Sequence, residues 1–193
     1  MRVQFTAQTD EARLRDVFTA TAPAFGMKWQ LAEAGRKMPT VVLVSRLGHC
    51  LNDLLFRHRS GLLTVDIKAI VSNHRDFYQL AASYNIPFHH IPVNADNKLQ
   101  AEAKLLEIVE SESAELVILA RYMQVLSDGL CRNLEGRAIN THHSFLPSFK
   151  GAKPYHQAHA RSVKIIGATA HYVTAALDGG VPLGVDGLEA TRE

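Results

Sequence analysis

The sequence predicts an α/β fold built on an open, mostly parallel sheet with helices on both faces. Three observations carry that expectation. From Thr40 onward short unbroken apolar runs recur, each is followed by a stretch whose apolar residues keep helical spacing, and glycine, proline and polar residues separate the two. Parallel strands read as continuous apolar runs because crossover helices cover them on both sides.

Before Thr40 the pattern differs. Arg2 to Ala7 alternates as a short strand, and Asp10 is placed to cap a helix running through Leu14, Val17 and Phe18 towards Ala24, which Gly26 ends. Met27 to Leu31 reads as a second extended stretch, and the polar AEAGRK leads to Met38 and Pro39 as a linker. A strand, a helix and a strand of this length cannot close a core of their own. The expected organisation is therefore a small segment and linker over 1–38 and a main domain over 39–193.

Within the main domain Thr40 to Val44 is the first strand. His49 to Arg59 is its helix, with Cys50, Leu51, Leu54 and Leu55 on one face and Gly61 as the stop. Ile67 to Val71 is the next strand, Asp76 to Tyr84 a short helix, and Phe88 to Ile91 a strand introduced by Pro87. A longer helix spans Lys98 to Glu110 with Leu99, Ala103, Leu106 and Val109 as its apolar stripe. Leu116 to Leu119 is a fully apolar strand, Ser127 caps a further helix, and Ala138 to Asn140 is a strand. Ligands of such sheets bind beyond the carboxyl ends of the strands, which directs attention to the residues after Val44, Leu119 and Ile139.

Composition narrows the function classes. The chain has 193 residues, 47% hydrophobic and 21% charged, with a net charge of +2 and no run of basic residues, so a nucleic-acid partner is not expected. No window approaches the roughly 18 apolar residues of a membrane span, and the N-terminus lacks the apolar core of a secretory leader. The two cysteines, Cys50 and Cys131, lie far apart without metal or redox spacing; a reducing, cytoplasmic setting is the expectation.

The densest polar chemistry follows the last of these strands, where Asn140 is succeeded by Thr141, His142, His143 and Ser144. A carboxamide donates to an oxyanion, an imidazole with an ordinary pKa of about 6.5 exchanges protons near neutrality, and a carboxylate orients either the imidazole or a water. Asp178 is the first acidic residue after Asn140, so it is the carboxylate available within that stretch. An Asn and a His at a strand end serve equally well as ties for loop carbonyls, and residue type alone does not separate the two roles. His156 and His159 stand one turn apart on a helix that Pro154 starts. With His142 and His171 they supply imidazoles of the kind that ligate a metal, but no HExxH pattern or cysteine ligand accompanies them, and no metal is expected.

After the first strand, SRLGHC holds a single glycine, Gly48, beside bulky Arg46 and Leu47, which argues against a phosphate cradle. The run LARYMQVL from Leu119 to Leu126 suits either ordinary core or the wall of a slot for a flat ligand.

Taken together, SRLGHCLNDLL (45–55), IVSNH (70–74), IPFHHIPV (86–93), LARYMQVL (119–126) and INTHHSFLPSFKGAKPYHQAHA (139–160) resemble the formyltetrahydrofolate deformylase family. The resemblance runs from Pro39 to Leu177. The wider formyltransferase fold, Rossmann-like and shared with glycinamide ribonucleotide transformylase and methionyl-tRNA formyltransferase, is similar through Asn140, His142, Ser144, Leu146 and Pro147. What the resemblance implies is hydrolysis of 10-formyltetrahydrofolate to tetrahydrofolate and formate, with formate going to purine synthesis. It implies Asn140, His142 and Asp178 as catalytic residues, and Met123, Gln124, Val125 and Leu126 beside the pterin. Folate and water would be the small-molecule partners, without a permanently bound cofactor, and a homo-oligomer is expected. The rival readings are an amine-dependent formyltransferase and an inactive folate-binding remnant.

Two stretches depart from the family. The first 38 residues resemble only part of an ACT domain, and the end reads LDGGVPLGVDGLEATRE where relatives continue with further sheet and a closing helix. A chain shortened at both ends, with apolar sheet surface uncovered at its C-terminal side, is the resulting expectation.

Overall fold

The computed structural model describes residues 3–142, 146, 148, 154–163, 165–175, 180 and 182–189. His143, Ser144, Pro147 and Asp178 lie outside the described residues. The chain separates into two compact units, Met1–Lys37 and Met38–Glu193.

In the first unit Asp10 caps helix α1 (Glu11–Thr21), its carboxylate accepting from Arg13 N at 2.7 Å. A 3₁₀ turn, Ala22–Phe25, continues the helix and ends at Gly26, whose φ of 58° is the left-handed conformation glycine tolerates best. The two strands expected here do not form: residues 3–7 and 27–31 belong to no sheet. A strand needs a neighbour for its N–H and C=O groups. Instead, the Leu31 carbonyl accepts from Arg15 Nη2 at 2.8 Å, and the Trp29 ring packs on Phe18 at 5.3 Å. Side chains of α1 hold this stretch where the sequence pattern suggested backbone pairing.

The second unit is an α/β layer structure. Its elements run β1 (Met38–Val44), α2 (His49–Arg59), β2 (Val65–Ser72), α3 (Tyr78–Ser83), β3 (Phe88–His90), α4 (Lys98–Ser111) and β4 (Leu116–Ala120). They continue with α5 (Asp128–Asn133), β5 (Ala138–His142), α6 (Pro154–Ala160), β6 (Ile165–Tyr172) and β7 (Pro182–Glu189). The sheet order is β3-β2-β1-β4-β5-β6-β7; β3 to β5 pair in parallel, and β6 and β7 add antiparallel. Within the stretch after Leu177, Pro182–Glu189 adds to the sheet as β7. Antiparallel addition explains how so short a connection suffices, since no crossover is required.

Alternation along β1 divides the core. Val41 and Leu43 face one side with Ala101, Leu105 and Val109 of α4 and Leu130 and Cys131 of α5. Val42 and Val44 face the other with Leu51 and Leu55 of α2 and Ala81 of α3. Helices therefore cover both faces. In β2 Thr40 pairs with Ile67 but Val41 with Ala69, so Lys68 is a bulge. That extra residue reverses the phase of the strand: Val65, Ile67 and Ile70 share one face, and Ala69 and Val71 the other.

The buried stripe of α4 also differs from the expected one. Ala101, Leu105 and Val109 are buried, whereas Leu99 is 75% exposed. Both sets satisfy helical spacing, and packing against the sheet selects the i, i+4, i+8 row. Among the described residues no helix is long and apolar enough to cross a membrane.

Candidate active site

The order of the sheet reverses at β1, which has β2 on one side and β4 on the other. β2 and β3 extend away in one direction, β4 and β5 in the other. In open sheets of this kind ligands bind beyond the carboxyl ends of the strands at such a switch point, which directs attention to the loops leaving β1 and β4. Ser45 stands at this point. Its hydroxyl donates to Asn73 Oδ1 at 2.7 Å and accepts the backbone N–H of Met123 at 2.9 Å, joining the ends of β1 and β2 to the loop after β4. Ser45 is buried, so these bonds replace hydration that it has lost.

The loop after β4 begins with Arg121 at φ 62°, a left-handed conformation that costs a non-glycine residue about 1–2 kcal/mol. Met123 and Val125 then lie exposed, Gln124 is half-buried, and Leu126 packs against the core. The far end is anchored to α4. Glu102 accepts the N–H of Ser127 at 2.9 Å and its hydroxyl in a very short bond, and Ser127 caps α5 by accepting from Leu130 N. Tyr122, buried beneath, has its phenol pushed up to about 12 by burial first and by the Glu102 charge second. Of the residues expected to border a pterin, Met123, Gln124 and Val125 are therefore at least partly open to a ligand, on a loop tied at both ends.

Asn140 and His142 are two residues apart on β5 and so share a face. Asn140 lies in register with Leu119 of β4 on one side and His171 of β6 on the other. His142 is only 8% exposed and pairs across β6 with the fully buried Thr169. Thr169 Oγ1 accepts the N–H of Leu146 at 3.1 Å, which ties the loop after β5 back to β6. The Asn140 carboxamide lies 3.4 Å from His171 Nε2. The structure thus places Asn140 and His142 on one face near the carboxyl end of β5, while Asp178 falls outside the described residues. His156 and His159 are exposed on α6, and among the described residues no three His, Cys, Asp or Glu side chains cluster as a metal site.

At the start of α2 Gly48 has a packing role. A Cβ there would lie 2.2 Å from the Phe77 ring, so the space above the glycine is filled by this protein's own aromatic side chain. Cys50, two residues on, has its thiol pushed up by burial, partly offset by Arg121; protonated, it is a poor nucleophile.

Ser45, Asn73 and Thr169 received no role from the sequence pattern, and His171 entered it only among the four histidines weighed for a metal. Thr169 and His171 did leave a signal, since two polar residues at period two in an otherwise small and apolar strand mark buried partners on one face.

A family model described as formyl transferase matches residues 38–193. The chain belongs to the formyl transferase family. Among its relatives, a formyltetrahydrofolate deformylase from Corynebacterium sp. (strain P-1) is 56% identical over 167 residues, covering 86% of this chain and 58% of that protein. The chain thus spans well under two thirds of this relative. The crystal structure of formyltetrahydrofolate deformylase from Burkholderia mallei superposes with a TM-score of 0.86 at 51% identity, over 97% of this chain and 67% of that one. A phosphoribosylglycinamide formyltransferase from Coxiella burnetii superposes with a TM-score of 0.73 at 29% identity, over 81% and 74%. Within the formyl transferase family the similarity is greater on the deformylase side.

Proposed function

We propose that this chain carries the hydrolytic centre of a 10-formyltetrahydrofolate deformylase. Water adds to the formyl carbon, the resulting tetrahedral oxyanion collapses with cleavage of the C–N10 bond, N10 takes a proton, and tetrahydrofolate and formate leave. Asn140 and His142 hydrogen-bond the developing oxyanion, and Asp178 orients the attacking water and supports His142. Met123 to Leu126 border the pterin, mainly through backbone polar groups and apolar contact.

The observation that carries this reading is the placement of Asn140 and His142 on one face of β5, towards its carboxyl end. Water rather than an amine is favoured as acceptor because the Phe77 ring fills the space above Gly48, where a phosphate cradle would need free backbone. The names and identities of the relatives support the same choice. The protein would act in the cytoplasm as a homo-oligomer, without a permanently bound cofactor or a nucleic-acid partner, and its formate would serve purine synthesis.

Formate release from 10-formyltetrahydrofolate, measured with and without glycinamide ribonucleotide, tests the proposal. Equal release in both conditions is expected. Strict dependence on the amine would establish a transferase, and folate-analogue binding without turnover would establish an inactive binder.

A further inference from the structure

Asn140 is a useful oxyanion donor only if its carboxamide nitrogen, not its oxygen, is held at the required place. Nothing in an asparagine side chain enforces that choice, because rotation about its last torsion exchanges the two ends. The neighbouring strand supplies the constraint.

His171 is 3% exposed and stands directly opposite Asn140. Its Nδ1 lies 2.9 Å from the Tyr172 carbonyl oxygen. A carbonyl only accepts, so Nδ1 carries the proton, and in the neutral ring Nε2 is left with a lone pair. Nε2 faces the Asn140 side chain at 3.4 Å. An acceptor there favours the amide nitrogen and repels the amide oxygen. One N–H of Asn140 is thereby directed at His171, and the second remains for a ligand oxygen.

The tautomer-setting carbonyl is itself held in place. Gly180 is buried against it: a Cβ at this position would lie 1.6 Å from Tyr172 O and 3.1 Å from His171 Nδ1. Only a glycine backbone passes so close. Thr169, two residues earlier on the same face of β6, holds the loop that follows His142.

We infer that His171 is a positioning residue which, as the Nδ1–H tautomer fixed by Tyr172 O, orients the Asn140 carboxamide with its nitrogen as donor. The inference rests on the hydrolytic reading above for its kinetic consequence, though not for the hydrogen bonding itself. The distance is long for a hydrogen bond, as is common at catalytic groups before substrate tightens them.

The test uses the whole chain. His171→Phe keeps a flat ring but removes the acceptor, and His171→Gln returns an acceptor oxygen near the place of Nε2. The phenylalanine variant should lose about 100-fold in kcat, the scale of misplacing one catalytic group, with KM little changed and the melting temperature lowered by loss of the buried bond to Tyr172 O. The glutamine variant should recover part of that loss. Equal kcat in wild type and the phenylalanine variant, or no recovery with glutamine, would overturn the inference. Nitrogen NMR of the wild-type imidazole gives an independent readout that survives any failure of a variant to fold. An Nδ1–H tautomer supports the assignment and an Nε2–H tautomer refutes it. Wild-type protein that releases no formate would refute the hydrolytic reading instead, and the NMR result would still decide the hydrogen bond.

Discussion

The backbone N–H of Met123 donates to the hydroxyl of Ser45 at 2.9 Å, across 78 residues of sequence. The same hydroxyl donates to Asn73 Oδ1, so one side chain couples three loops at the point where the sheet order reverses. Ser45→Ala leaves a partly buried donor and acceptor unpaired, which should cost about 1–3 kcal/mol in denaturant unfolding. It should also weaken binding of a folate analogue, because the loop from Arg121 to Leu126 loses its anchor. Unchanged stability and affinity would show that the loop is held by other contacts.

The packing of α4 makes a paired prediction. Leu105 is 2% exposed and Leu99 is 75% exposed. Leu105→Ala should cost about 2–5 kcal/mol by opening a cavity against the sheet. Leu99→Ala should change stability by less than about 0.5 kcal/mol. Equilibrium unfolding of both variants checks the assignment, and the reverse ranking would restore the stripe expected from the sequence.

Burial raises the Tyr122 phenol from 10.0 to about 12, with the Glu102 charge adding to it. Below pH 10.0 the phenol is protonated whether the chain is folded or not, and its contribution to stability is complete. Between 10.0 and about 12 the unfolded chain releases the proton and the folded chain keeps it, so stability falls as pH rises. Tyr122→Phe should have a shallower alkaline decline over that window. Cys50 and Cys131, both also pushed up by burial, titrate in the two proteins alike and cancel in the difference.

Asp178→Asn should lower kcat by about 10²–10⁴ if the carboxylate orients water and supports His142, as the resemblance to the deformylase family implies. Steady-state formate release measures it. Unchanged turnover would remove Asp178 from the mechanism.

The parallel half of the fold was legible because each buried strand is a short apolar run ending in a turn, as in Thr40 to Val44, and because helix signals such as Ser127 act locally. That Asn140 and His142 share a face was legible for a related reason: residues two apart on one strand point the same way. What was not legible depends on neighbours. Lys68 looks like any strand residue until its register against β1 shows the bulge. Arg15 competes for the Leu31 carbonyl in a way that no propensity encodes, and the strand expected from Met27 to Leu31 is lost. β7 is an antiparallel addition of glycine-rich sequence, with neither a long apolar run nor clear alternation to announce it. The polar partners Thr169 and His171 gain meaning only when β6 is aligned with β5.

The central claim is that water takes the formyl group at a centre built on Asn140 and His142. Single-turnover hydrolysis of 10-formyltetrahydrofolate in ¹⁸O-labelled water, with formate analysed by mass spectrometry, tests it most directly. The account predicts formate carrying one labelled oxygen, formed with an equal amount of tetrahydrofolate, and a rate reduced by about 10²–10³ in Asn140→Ala. Formyl transfer only to an added amine, or labelled formate at an undiminished rate from that variant, would contradict it.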